Sequence, residues 1–336
     1  MSDHPAARAL AGRHRVRAWE PIPWIAALAF YVAFPRHLGF GTEVLVTILF
    51  ALSLDVVLGY AGIVTLGHAA FFGVGAYSAG LLARYYWNEP LAGLVLAGVV
   101  AGLVGYASSH VIVRFRHLAL IMLTMGFGLL LHEAANSASP LTGGADGLQG
   151  IRTGDLFGFR FDMFGRTAYA YSLAVLFACF LISRRIIHSP FGLALRGIRE
   201  NATRMPAIGA PSRAHLRKAY TIAATMAGTG GALLAQTTET VSLETLSFGR
   251  SADVLVILIL GGAGRLYGGI LGAIIYMVAR DQFSGVNPQY WYFWIGLLLI
   301  AVVTLLPNGV LGGLARIRSL DWLHGLRLRG LLWGSR

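Results

Sequence analysis

The sequence predicts an all-α polytopic membrane protein of roughly 8–10 transmembrane helices, some of them broken or re-entrant. Three observations predict it. Of 336 residues, 56% are hydrophobic and 12% are charged, where a soluble domain carries about 25% charged residues. Mean hydropathy is +0.65. Apolar runs recur along the whole chain, and the 43 glycines lie among apolar neighbours, which suits close helix packing and interrupted helices rather than disorder.

The runs fall at roughly 20–38, 42–60, 63–83, 91–113, 117–136, 167–187, 218–237, 252–279 and 291–307. Most reach the roughly 17–25 residues that a helix needs to span a bilayer. Connections between them are short, so residues 21–313 form one membrane domain between basic tails at 1–20 and 314–336. Arginines 8, 13, 15 and 17 precede the apolar run Ile22–Phe34. No clean cleavage site follows it, so this is a first span behind a basic cytoplasmic tail rather than a signal peptide.

Charge sets the expected orientation. With the N-terminus inside, Arg114 and Arg116 face the cytoplasm and the nearly charge-balanced loop 136–166 faces out. The loop with Glu239 and Glu244 also faces out. The tail arginines 316, 318, 327, 329 and 336 should face in, which nine simple spans do not allow. The run 252–279 is interrupted by GGAGRLYGG at 261–269. A re-entrant pair or two short helices there gives about ten spans and returns the C-terminus to the inside. An echo supports an internal repeat: LGYAG at 58–62 is followed by Gly67, and LGGAG at 260–264 by Gly269. Paired glycine-interrupted segments are the trace of repeat-built transporters.

The stretch 184–218 is the main cytoplasmic feature. It holds eight basic residues (Arg184, Arg185, Arg196, Arg199, Arg204, Arg213, Arg217, Lys218) and one acid, Glu200. Phe191, Leu193, Leu195 and Ile198 alternate with arginines at a spacing that suits a short amphipathic helix, starting near Pro190 and stopping by Pro206. Such a stretch is either a solvated topology signal or a docking surface for a cytoplasmic partner.

Several chemistries are excluded. The only lysine is Lys218, and no G-x-x-x-x-G-K-[ST] occurs, so the chain is not itself a P-loop ATPase. His68, His132 and His188 are too scattered for a metal site, and no catalytic set is present. Cys179 stands alone, which rules out an intrachain disulfide. The net charge of +12 sits in loops beside apolar runs, where it reads as topology and lipid contact rather than nucleic-acid binding. Ionisable groups inside spans are functional candidates: Asp55 and His68 first, with Glu133 and Asp253. Gly59 and Gly62 lie beside Asp55, and Gly261 and Gly264 lie in the later break. LTGGADGL at 141–148 is a glycine-rich turn set just outside the membrane.

Over about residues 40–313 the chain resembles the LivM-type membrane permease subunits of branched-chain amino acid (LIV) ABC importers. The resemblance rests on LGYAGIVTLGHAAFFGVGAY at 58–77, LTMGFGLLLHEAANSASPLTGGADGL at 123–148, the segment 192–235 with LRGIREN, SADVLVILILGGAGRLYGGILGA at 251–273, and LLPNGVLGGL at 305–314. It implies that Gly192–Gly209 holds a coupling helix for an ATPase subunit, with Arg196, Arg199, Glu200, Asn201 and Gly209 as coupling residues. It implies a translocation path near Asp55, Gly59, Gly62, His68, Gly261 and Gly264, and an extracytoplasmic loop of Thr142, Gly143, Gly144, Asp146 and Gly147. The expected partners are ABC ATPase subunits that bind ATP and Mg, a second homologous permease, an extracytoplasmic solute-binding protein and membrane lipids. The chain itself would need no cofactor and sit in a bacterial inner membrane. Departures occur at Asp55, where relatives usually have Asn, at Ile63 and Thr65, at Arg204-Met205-Pro206 and at Arg265. They leave urea or short amides as alternative substrates to hydrophobic amino acids. A stand-alone transporter that couples ions through Asp55 and His68 is the reading from a different class.

Overall fold

The computed structural model describes residues 20–313 apart from 116, 157, 160, 162–164, 208, 307 and 308. Of the tails expected at 1–20 and 314–336, all but Glu20 lie outside the described residues, and with them the side of the C-terminus. Eleven helices of ten or more residues are described: α1 (Ile22–Ala33), α2 (Leu38–Asp55), α3 (Ala69–Tyr85), α4 (Pro90–Ile112), α5 (His117–Ser137), α6 (Arg166–Ile187), α7 (Pro190–Glu200), α8 (Ser212–Thr238), α9 (Phe248–Gly261), α10 (Gly268–Val286) and α11 (Trp291–Leu305). The described residues hold no strand beyond two isolated β-bridges. Five segments are long and apolar enough to cross a membrane: Pro35–Tyr60, Pro90–Ile112, His117–Ser137, Arg166–Ile187 and Trp291–Gly313.

Helices α2 and α8 form the centre. Every residue of α2 from Leu45 to Asp55 is buried, so its apolar residues run all round the helix rather than along one stripe. Small residues of α8 bring it against α3 and α4. A Cβ on Gly75 of α3 would lie 2.2 Å from the Gly228 carbonyl oxygen of α8. Lipid is as apolar as this core, so close packing at small residues holds such helices together more than removal of apolar area from water does. By contrast α5 buries only Leu120, Thr124 and Gly128, α1 buries no residue, and Leu118, Met122 and Leu130 are exposed.

Three segments add detail to the sequence reading. The run 63–83 is helical only from Ala69, and residues 61–68 are turn and irregular backbone. Apolar composition alone does not separate helix from buried extended chain. The run 252–279 is two helices, as expected, joined by a short loop at 262–267. Its first helix has 14 residues, or about 21 Å, short of the roughly 30 Å hydrocarbon layer. The basic stretch 184–218 is largely helix, because α6 continues to Ile187 and α8 already begins at Ser212.

Contacts define two ends of the bundle. At one, Arg184 Nη1 pairs with Glu20 Oε2 at 2.8 Å, joining the end of α6 to the start of α1, and the Tyr267 hydroxyl donates to the Glu20 carbonyl at 3.5 Å. At the other, Leu148 and Val241 form a two-bond antiparallel bridge of 2.7 and 2.9 Å between the α5–α6 and α8–α9 connections.

Candidate functional site

The site begins where α2 loses its regular pitch. Past Asp55 the chain widens into a π-helical segment, Val56–Tyr60, and then turns at Gly62 with φ +74°, a left-handed conformation that favours glycine. The α9–α10 loop meets this break. Asp55 Oδ1 accepts a 2.7 Å hydrogen bond from the Gly264 backbone N–H, while Oδ2 has no hydrogen-bond partner. The approach needs a missing side chain, since a Cβ on Gly59 would lie 2.0 Å from Asp55 Oδ1 and 2.4 Å from Gly264 N. Gly261 packs on Gly268 of the same hairpin.

Arg199 of α7 completes the constellation. Its Nη1 donates to the Gly59 carbonyl oxygen, and its side chain lies over Gly62, where a Cβ would be 2.8 Å from Arg199 Cγ. The Arg196 guanidinium lies 5.1 Å from the centroid of the Tyr60 ring, within cation–π range. Asp55, Gly59, Gly62 and Gly264 thus meet a residue of the basic stretch 184–218. The two echoed breaks face each other directly.

Irregular backbone in an apolar bundle needs partners for its freed polar groups. Leu66 N–H donates to Thr124 Oγ1 of α5 at 3.3 Å, Gly67 N–H to Thr65 Oγ1 at 3.3 Å, and Ala69 N–H to Ser251 Oγ of α9 at 3.0 Å. His68 lies 2.8 Å from Ser53 Oγ and stacks on Phe50. Asp55 and His68 do not bond to each other, and each has a partner of its own. Thr124, Ser251, Ser53 and Tyr60 are single residues within apolar runs with no spacing to mark them, so only the fold reveals their part.

In the basic stretch 184–218, Pro190 opens α7 and Ser189 Oγ caps it, accepting from Gly192 N–H at 3.4 Å. Leu195 and Ile198 are buried, while Arg199 and Glu200 are exposed as whole residues. The helix ends at Glu200, before Pro206 is reached. Asn201 is extended (φ −153°, ψ 90°), and its Oδ1 accepts from Thr203 and Arg204 N–H at 3.2 and 3.1 Å. Pro206 lies in the separate helical turn Arg204–Ala207. Gly209 follows at φ +84°, with its N–H on the Pro206 carbonyl at 3.0 Å.

At the other end, Thr142 Oγ1 donates to the Ala135 and Ala138 carbonyls at 2.5 and 2.9 Å and accepts from Gly144 N–H at 3.2 Å. Gly143, Gly144 and Gly147 all have positive φ, and Asp146 is exposed. The loop is fixed by the Leu148–Val241 bridge and by packing of Leu148, Ile151 and Val241. Among the described residues no group of His, Cys, Asp and Glu is placed to hold a metal ion.

Interrupted helices whose loose backbone is satisfied inside an apolar bundle define a multi-pass membrane transport protein. Residues 38–303 match the family described as the branched-chain amino acid transport system permease component. The chain belongs to that family. It is 30% identical over 314 residues to the high-affinity branched-chain amino acid transport system permease protein LivM of Escherichia coli (strain K12), covering 85% of this chain and 74% of the relative. It is equally similar to the protein of the same name from Salmonella typhimurium (strain LT2), at 30% over 315 residues with the same coverage. No solved structure matches it.

Proposed function

We propose that this chain is the translocating permease subunit of an ATP-driven importer of branched-chain or other hydrophobic amino acids in a bacterial inner membrane. The names of its relatives support the substrate class. The observation that carries the coupling role is the placement of α7. Its apolar face is sunk in the bundle, Glu200 is exposed, and its Arg199 is bonded to the broken end of α2. A displacement of α7 therefore acts at once on Gly59 and, through Gly264 and Asp55, on the α9–α10 hairpin.

In this reading separate ATPase subunits bind ATP and Mg and dock on α7. A second homologous permease completes the path, and lipids surround both. An extracytoplasmic solute-binding protein meets the loop of Thr142–Gly147. Nucleotide binding drives transport only insofar as it binds one conformation of the assembly better than the other. Arg199 and Arg196 act within the chain, and Glu200 is the residue offered to the ATPase. The substitution Glu200→Arg should leave membrane insertion and thermal stability unchanged while lowering uptake at least tenfold in cells that carry the complete transporter. Undiminished uptake would overturn the docking assignment.

A further inference from the structure

At the end of the bundle opposite α7, a cavity of about 210 Å³ opens between α2, α8, α9 and α10. Glu43 of α2 lines it together with Glu244, Arg250 of α9 and Arg280 of α10. Glu43 lies twelve residues before Asp55, or about 18 Å along α2. The volume is below the roughly 300–1,000 Å³ of sites for drug-sized ligands, so a ligand here has few heavy atoms. Leu234 and Met277 supply an apolar part. Below them Thr47 Oγ1 meets Met277 Sδ at 3.8 Å, which closes the floor.

The charges carry the inference. Two carboxylates and two guanidiniums line one small cavity, yet none forms an ion pair within 4 Å with another described residue. Both arginines instead make cation–π contacts, Arg250 over Phe72 at 5.6 Å and Arg280 over Trp291 at 5.4 Å, and Asp253 of α9 is a third acid within Coulombic reach of both. A simple cation would answer only the acids and a simple anion only the arginines. A compact zwitterion answers both, because guanidinium takes carboxylate in a fork of N–H donors and carboxylates take ammonium. The rim segment 240–245 is tied through Val241 to Leu148, so the cavity shares an end of the bundle with the Thr142–Gly147 loop.

We propose that this cavity is an entry site for an α-amino acid zwitterion, with Arg250 and Arg280 on its carboxylate, Glu43 and Glu244 on its ammonium, and its side chain toward Leu234 and Met277. The assignment rests on the amino acid importer reading above, but its test is separate. The full-length chain in lipid nanodiscs is to be probed with radiolabelled L-leucine and with unlabelled L-leucine, leucine methyl ester, 4-methylpentanoate and glycine as competitors. Leucine should compete at least tenfold better than either singly charged analogue. Arg280→Gln and Glu244→Gln should each weaken leucine binding at least tenfold, the first abolishing the advantage over the ester and the second that over the acid. Arg280→Lys, which keeps the charge but not the fork of donors, should weaken leucine binding less than Arg280→Gln and retain the advantage over the ester, and it controls for misfolding. Equal competition by the singly charged analogues, native affinity in both variants, or no binding of any zwitterion would overturn the site. Uptake by cells with the complete transporter separates the two readings. Branched-chain import that survives both variants unchanged sinks the site alone. No such import, with glycine bound in the same charge-dependent way, sinks the substrate assignment alone.

Discussion

Asp55 shows how one carboxylate can be structural at a place where function is expected. Its Oδ1 satisfies the Gly264 N–H, and its Oδ2 faces no partner. Asn keeps the acceptor and replaces the unpartnered oxygen with an NH₂. Asp55→Asn should therefore keep uptake within about twofold and leave thermal stability unchanged or higher. Asp55→Leu strands the Gly264 donor. Side-chain hydrogen bonds in a membrane protein average about 0.6 kcal/mol, and an unsatisfied buried donor costs about 1–3 kcal/mol, so a loss near 1 kcal/mol and a lower Tm in detergent are expected. An ion-coupled carrier predicts the reverse for Asn, with transport abolished. Arg199 gives the companion test. Arg199→Ala removes the donor to Gly59, so ATP hydrolysis by the assembled transporter should continue while uptake falls at least tenfold. Uptake at the native rate would show that the strut is dispensable.

Elements divide by how they declared themselves. The start of α7 was legible, because Pro190 suits the first turn of a helix and the helix begins there; the Ser189 cap emerged only with the fold. Its end was not: Pro206 marked a limit, but Asn201 turns the chain first by diverting its side chain to the Thr203 and Arg204 N–H groups, a choice that propensity leaves open. The break between α9 and α10 was legible from its glycines. The break after α2 was legible as glycines but not as eight residues without helix, since that depends on Thr124 and Ser251 arriving from distant parts of the sequence. The meeting of the two breaks with Arg199 joins residues 140 apart, and no spacing rule reaches across that distance. At this scale the α3–α8 contact makes its own prediction. Gly75→Leu cannot be housed against the Gly228 carbonyl without moving a helix. It should cost more than about 3 kcal/mol, as severe overpacking does, and be read as loss of folded protein after mild detergent extraction.

For the whole molecule, the two ends of the bundle should lie on opposite sides of the membrane. Cys179 is the only cysteine and is half-buried, so Cys179→Ala gives a clean background for labelling. A cysteine replacing exposed Gln149 should react with an impermeant maleimide in intact cells, and one replacing exposed Glu200 only after the membrane is opened. Equal reaction at both positions in intact cells would refute the orientation.

Helix α1 has a consequence for how the protein is made. None of its residues is buried. Its fastenings include Glu20 to Arg184, the Tyr267 hydroxyl to the Glu20 carbonyl, Trp24 edge-on against Phe177 and Phe180, and the Ala27 carbonyl to the hydroxyl of Tyr169, which lies 142 positions later. At roughly 5–20 residues per second of synthesis, this helix leaves the ribosome about 7–30 seconds before Tyr169, part of the surface it will rest on. Through that interval a twelve-residue segment must be kept at the bilayer by its own apolar side chains. Lengthening or shortening that delay, by codon choice between α1 and α6, would alter the yield of assembled protein without changing a single contact in it.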